Sequence, residues 1–192
     1  MDTVFTAARI FTAEANNALI DSGAVVVDSG GTIRAVGPAK SLVRKGLEHI
    51  DLGPVTLLPG LLDLHTHLCL SASLDPFADA LADHPARVTM RALDGLRRHV
   101  DAGVTTIRDV GGIHGVDLEM QRAVDDGTVT GPQVFASGKV ISMTGGHACM
   151  MAYEVDSPAE ARRAARQNIK DGARVIKLIA TGGVLTEGVA PG

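Results

Sequence analysis

The chain has 192 residues, of which 45% are hydrophobic and 21% charged; this is the composition of a globular protein, not a disordered one. A formal net charge of -4 and an aromatic content of 3%, with no Trp and one Tyr, speak against a phosphate backbone, a base-stacking platform or an anionic membrane as partner. The two cysteines, Cys69 and Cys149, are too few for a disulfide framework and read as small buried hydrophobes in a reducing compartment.

Residues 1–55 read as short strands and turns. Residues 4–11 form one candidate strand. Ala24-Val25-Val26-Val27-Asp28, the turn Ser29-Gly30-Gly31 and Thr32-Ile33-Arg34-Ala35-Val36 form a hairpin. Gly37-Pro38 ends it, residues 39–45 suit a short helix, and Asp51-Leu52-Gly53-Pro54 is a loop. This stretch is expected to be a small β domain, too thin to bury a good core alone.

From residue 56 the texture changes to alternating strand and helix. Residues 56–67 are an apolar run ending in His65-Thr66-His67. The two-residue period of a strand puts Asp63, His65 and His67 on one face and Leu62, Leu64 and Thr66 on the other. The apolar run predicts a strand buried on both faces. Two neutral imidazoles at its end can grip a divalent metal such as zinc, manganese, iron, cobalt or nickel, although a lone His-x-His pair is equally at home on a surface strand. Residues 71–85 are a long connection with room for a short helical piece. Residues 87–102 predict a helix on Val88, Leu93, Leu96 and Val100, stopped by Gly103. Strands follow at 104–110 and 132–137, separated by Gly111-Gly112 and a helix at 117–126. After the glycine-rich loop Met143-Thr144-Gly145-Gly146-His147, Ser157-Pro158-Ala159-Glu160 opens a helix that stops at Gly172. Residues 174–179 are the fourth strand.

This order implies an α/β fold with a parallel sheet and right-handed crossovers. The glycine-rich and histidine-bearing segments all follow strand C-termini, where functional residues gather in (β/α)8 barrels and open α/β sheets. Lys177 lies inside Val175-Ile176-Lys177-Leu178-Ile179, and lysine is rarely buried without a partner. It is either ion-paired or condensed with carbon dioxide to a carbamate, an anion whose two oxygens can bridge two metal ions.

Pro59-Gly60-Leu61-Leu62-Asp63-Leu64-His65-Thr66-His67 resembles the strand-one signature of the amidohydrolase superfamily. Thr105-Thr106-Ile107-Arg108-Asp109-Val110-Gly111-Gly112, Thr144-Gly145-Gly146-His147 and Ile176-Lys177-Leu178-Ile179-Ala180-Thr181-Gly182-Gly183-Val184 resemble its branch near imidazolonepropionase, which includes Xaa-Pro dipeptidases. The resemblance spans nearly the whole chain. It implies the first half of a (β/α)8 TIM-type barrel over residues 56–192, preceded by a small β-sandwich-like domain over residues 1–55.

The resemblance also implies roles. His65 and His67 hold the more buried metal, and carboxylated Lys177 bridges two metals, most simply two Zn2+. Imidazolonepropionase uses one metal and lacks that lysine, so Lys177 favours the two-metal branch. His147 is the implied catalytic residue, binding a substrate carboxylate or polarising a carbonyl. Arg108 and Asp109 are expected to form a structural pair below the site, with Arg108 alternatively reaching an anionic substrate. Among His49, His84, His99 and His114, only His114 is expected near the cleft.

The family requires two further histidines, from strands five and six, and a strand-eight aspartate as general base. These 192 residues do not supply them. The chain therefore reads as the N-terminal half of a longer enzyme, inactive and poorly soluble without the C-terminal half of its barrel. The implied activity is metal-dependent hydrolysis of an amide or peptide bond in a dipeptide or N-acyl amino acid, with an activated water as nucleophile. Alternatives are a lactone, cyclic imide or organophosphate ester as substrate, or a non-catalytic structural member of the fold. A cytoplasmic location is expected, because the chain's start lacks a secretory signal and no apolar run is long enough to span a bilayer. Homo-oligomerisation is left open.

Overall fold

Pro59 and Gly60 mark the joint between two units, Met1–Pro59 and Gly60–Gly192, in a computed structural model that describes residues 1–15 and 18–182. Gly183, Val184 and the expected loop at 186–192 lie outside the described residues.

In the first unit, β1 (Thr3–Phe11) pairs antiparallel with β2 (Leu19–Val27), which pairs antiparallel with β3 (Ile33–Pro38). The hairpin turn between β2 and β3 is tied by Asp28, whose Oδ1 accepts the N–H groups of Gly30 and Thr32, both at 2.9 Å. A short helix, α1 (Ala39–Leu42), leads to β4 (Glu48–Asp51). β4 and β5 (Thr56–Leu57) both run parallel to β1, at its two ends. Val4, Ala24 and Val26 form the core, with Leu42 and Leu47 packed on it.

Two expectations fail here. β4 lies partly where a loop was predicted; all four of its side chains are exposed, so it carries no hydrophobic alternation. It is fixed instead by pairing with β1 and by the Thr6 hydroxyl beside His49 at 2.9 Å. The expected continuous strand at 56–67 is two strands. Its start is β5 in the first unit, and its end is β6 (Leu61–Thr66) in the second. Pro59, which has no N–H to donate, lies in the break.

The second unit contains a parallel sheet in the order β6-β7-β8, with β7 at Val104–Asp109 and β8 at Gln133–Ala136. Helices α2 (Pro76–Ala82) and α3 (Pro85–Asp101) join β6 to β7, and α4 (Val116–Asp125) joins β7 to β8. A second, two-stranded parallel sheet pairs β9 (Val140–Ser142) with β10 (Ala152–Glu154) around a 3-10 turn at Cys149–Met151; α5 (Pro158–Lys170) follows. Neither short strand was predicted.

The helix starts obey local chemistry. Asp75, His84 and Ser157 each accept a backbone N–H from the first turn, with proline at the start of the helix. Glu160 completes a reciprocal cap by accepting the Asp156 N–H at 3.0 Å. Helix α3 buries Val88, Ala92 and Leu96 against a core that includes Ile107 and Val134. Its apolar stripe thus runs through Ala92. Leu93 is half-buried and Val100 is exposed. Among the described residues no helix is long and apolar enough to cross a membrane.

Two corrections concern the sheet. β6 is not buried on both faces: Leu61, Leu62 and Leu64 are 50%, 64% and 51% exposed. β6 is the edge of its sheet, with β7 as its neighbour and the other side open among the described residues. The expected fourth strand is reduced to a single parallel bridge between Ile141 and Leu178. It is held by Ile141 N–H to the Lys177 carbonyl and Ile179 N–H to the Ile141 carbonyl, both at 2.9 Å.

Gly60 starts the second unit under steric compulsion. A Cβ there would lie 2.0 Å from Thr105 Oγ1, 2.3 Å from its Cγ2 and 2.7 Å from its Cβ. Gly60→Ala should destabilise the protein by about 1–3 kcal/mol in a denaturant titration of the complete protein. Adding Thr105→Ala should recover part of that loss, because two of the three clashing atoms are gone. Strict additivity of the two changes would show that the contact is not the cause.

Candidate metal centre

β6 and the turn after it carry His65 and His67, with ring centroids 5.5 Å apart and planes at 69°. His67 Nδ1 lies 2.9 Å from the Gly111 carbonyl. A carbonyl only accepts, so Nδ1 carries the hydrogen and the lone pair sits on Nε2. Burial holds His67 below the ordinary imidazole range. The Gly111 carbonyl pulls the other way, and nearby His65, Lys177 and His147 add to the lowering. The result is a neutral ring with one nitrogen committed and the other without a partner among the described residues, the form that binds metal.

The Gly111 carbonyl is itself held in place. Asp109, fully buried at the end of β7, accepts the Leu68 N–H on Oδ2 at 2.8 Å and the Gly111 N–H on Oδ1 at 3.1 Å. Gly111 has a φ of 149°. A Cβ there would lie 2.7 Å from both Met151 Cε and Val140 Cγ1. Beneath it stands a second buried acid, Asp117, whose Oδ2 accepts the Gly138 N–H at 2.7 Å. Asp117 Oδ1 is buried with no hydrogen-bond partner among the described residues. A Cβ on Gly112 would come within 2.4 Å of that oxygen, so glycine is required there.

Burial, and then the charge of Asp117, push the Asp109 carboxyl well above the usual carboxylate range. Burial also raises Asp117, against the pull of the Gly138 N–H. The same surroundings push the Cys69 thiol up to about 12, burial first and Asp109 next. Cys69 is thus a protonated buried thiol 3.8 Å from the Gly111 carbonyl, the small buried hydrophobe expected from the sequence. Cys149 is half-buried.

The expected Arg108–Asp109 pair does not form. Arg108 is exposed and its Nε donates to the Leu64 carbonyl at 2.6 Å. Asp109 points to the opposite, buried side, as neighbouring residues on a strand must. Lys177 and His147 are both half-buried and both close enough to His67 to act on its charge. His147 Nδ1 is buried without a hydrogen-bond partner among the described residues.

His114 is exposed. His99 was the histidine to watch: with His65, His67, Arg91, Asp94 and Arg98 it lines an open cavity of about 570 Å³. Its Nδ1 donates to the Gly95 carbonyl at 2.7 Å, and its Nε2 lies 3.6 Å from Asp63 Oδ2. His49 and His84 serve local roles on β4 and at the start of α3.

Among the described residues, no group of three or more His, Cys, Asp or Glu side chains is arranged to hold a metal ion. The donors present nevertheless suit one. His67 offers a free Nε2 on a neutral ring beside His65, and His147 brings a buried nitrogen that nothing in the described protein satisfies.

Each buried acid holds its proton more tightly folded than unfolded. Above the ordinary carboxylate range the folded state therefore binds more protons, and stability falls as pH climbs toward the raised folded values. Asp117→Asn should remove the repulsion on Asp109. We expect a shallower loss of stability with rising pH, read from denaturant titrations across pH. A variant with the wild-type slope would show that the two acids do not act on each other.

Residues 56–192 match the amidohydrolase family. Ochratoxinase from Aspergillus niger is 33% identical over 156 residues, covering 68% of this chain and 32% of the relative. Among solved structures, a Xaa-Pro dipeptidase with methionine bound in its active site superposes with a TM-score of 0.82 and 28% identity, over 97% of this chain and 48% of its own. A prolidase complexed with N-methylphosphonate-L-proline superposes at 0.83 and 29% identity, over 99% and 49%. The chain thus spans about half the length of these structures, and the sequence match spans about a third of ochratoxinase.

Proposed function

The chain belongs to the amidohydrolase family, and from that premise we propose that the complete protein is a metal-dependent hydrolase of an amide or peptide bond in a dipeptide or N-acyl amino acid. The observation that carries this reading is the His67 ring, neutral, fixed at Nδ1 by the Gly111 carbonyl and free at Nε2, with His65, Lys177 and His147 around it. The structural neighbours include a Xaa-Pro dipeptidase and a prolidase, which favours the peptide-like substrate.

In this reading His65 and His67 would hold one divalent ion, and Lys177, as its carbamate, would help to hold a second. Metal held there would supply Lewis acidity toward a carbonyl and lower the pKa of a bound water toward neutral. His147 faces the substrate, its unsatisfied Nδ1 offered to a carboxylate or a carbonyl oxygen. The proton taken from water passes to the leaving amine through a general base. In this reading that base, an aspartate, and two further histidines come from later strands of the barrel, as the family resemblance implies. The exposed leucines of β6 (Leu61, Leu62 and Leu64) are the surface that the rest of the barrel would cover.

The test is Lys177→Ala in the complete enzyme. Metal content should fall when measured by mass spectrometry. Hydrolysis of a dipeptide panel should fall about 100-fold or more. Reloading the wild-type apoenzyme should need bicarbonate as well as metal. Full metal content and activity in Lys177→Ala would sink the bridging role.

A further inference from the structure

The geometry points to Asp109 as the positioning residue of His67: one buried carboxyl group holds both the chain segment that carries the imidazole and the carbonyl that sets its tautomer. Four hydrogen-bonded groups close a ring. His67 Nδ1–H donates to the Gly111 carbonyl at 2.9 Å. The Gly111 N–H donates to Asp109 Oδ1 at 3.1 Å. Asp109 Oδ2 accepts the N–H of Leu68, the residue after His67, at 2.8 Å. The backbone on either side is pinned as well, by Val110 N–H to the Thr66 carbonyl and Ser137 N–H to the Asp109 carbonyl, both at 3.0 Å.

Neither oxygen of Asp109 faces a cation among the described residues, and its side chain is fully buried. A carboxyl group in such a place is costly unless its oxygens are used. Both are used here, on the two backbone groups that flank His67 in space. Arg108, the neighbouring cation, is spent on the Leu64 carbonyl on the opposite side of the strand. Asp109 therefore acts through His67 and is not itself a ligand.

The inference rests on the proposed metal reading only for what Nε2 is used for; the tautomer can be measured without metal. In the metal-free complete enzyme, labelled with 15N-histidine, NMR should show His67 protonated at Nδ1 and bare at Nε2. Asp109→Asn offers one accepting oxygen and turns an amide N–H2 toward the other backbone donor. It should give mixed His67 tautomers. Zinc affinity, by competition with a chromophoric chelator, should fall about 10–100-fold. Asp117→Asn leaves the ring of bonds intact and should keep the His67 pattern. If Asp109→Asn does not fold, the wild type still decides: slow exchange of the Leu68 and Gly111 amides is expected, and exchange at the rate of exposed amides overturns the assignment. So does an unchanged tautomer and zinc affinity in a folded Asp109→Asn. Wild-type protein with the expected tautomer but no zinc binding would instead sink the metal reading and leave the positioning role standing.

Discussion

Everything at the candidate site depends on the bond from His67 Nδ1 to the Gly111 carbonyl. A neutral imidazole can carry its hydrogen on either nitrogen, and water does little to choose. Buried beside a carbonyl, the ring has no choice, because leaving that acceptor unpaired costs about 1–3 kcal/mol. The direction of the free nitrogen is thus decided by backbone, and through the backbone by whatever places residue 111.

What places it is a local conflict. Two carboxylates, Asp109 and Asp117, are buried close together without a cation among the described residues, and burial raises both. Between them they accept backbone N–H groups from Leu68, Gly111 and Gly138. Those bonds favour the charged forms, but desolvation wins on balance at both acids. The arrangement weakens the fold and sharpens the site. Glycines at 111 and 112 complete it, since Met151, Val140 and Asp117 occupy the space a side chain would need. Strain that gathers where chemistry is expected is common in proteins.

The parts legible in the sequence were those governed by local rules. A Ser-Pro cap placed the start of α5, helical apolar spacing and a glycine stop placed α3, and the β-branched run Val104-Thr105-Thr106-Ile107 placed β7. The pairing of His65 with His67 followed from strand parity, Lys177 stood out as a lysine inside an apolar strand pattern, and the amidohydrolase motifs pointed to His147. What failed was set at a distance. β4 exists because β1 offers it an edge, and β9 and β10 because each supplies the other's partner. The exposure of β6 depends on sheet order, which an apolar run does not encode. Asp109 was legible and was misread. Parity places it with Ile107, which is fully buried, whereas a pair with Arg108 needs adjacent strand residues to point the same way.

The division of labour within the site follows from the fold. In a parallel sheet each strand delivers its side chains to the same end, but orientation is fixed only by neighbours already in place. β6 delivers the two imidazoles from an edge, with one strand to lean on. An edge strand is the least rigid place in a sheet for a precise constellation. The buried ring of bonds through Asp109 compensates by locking His67 to β7 and to the loop after it, independent of any strand on the open side. The orientation of His67 is accordingly built from residues between Thr66 and Ser137, all on strands and loops that this chain itself contains.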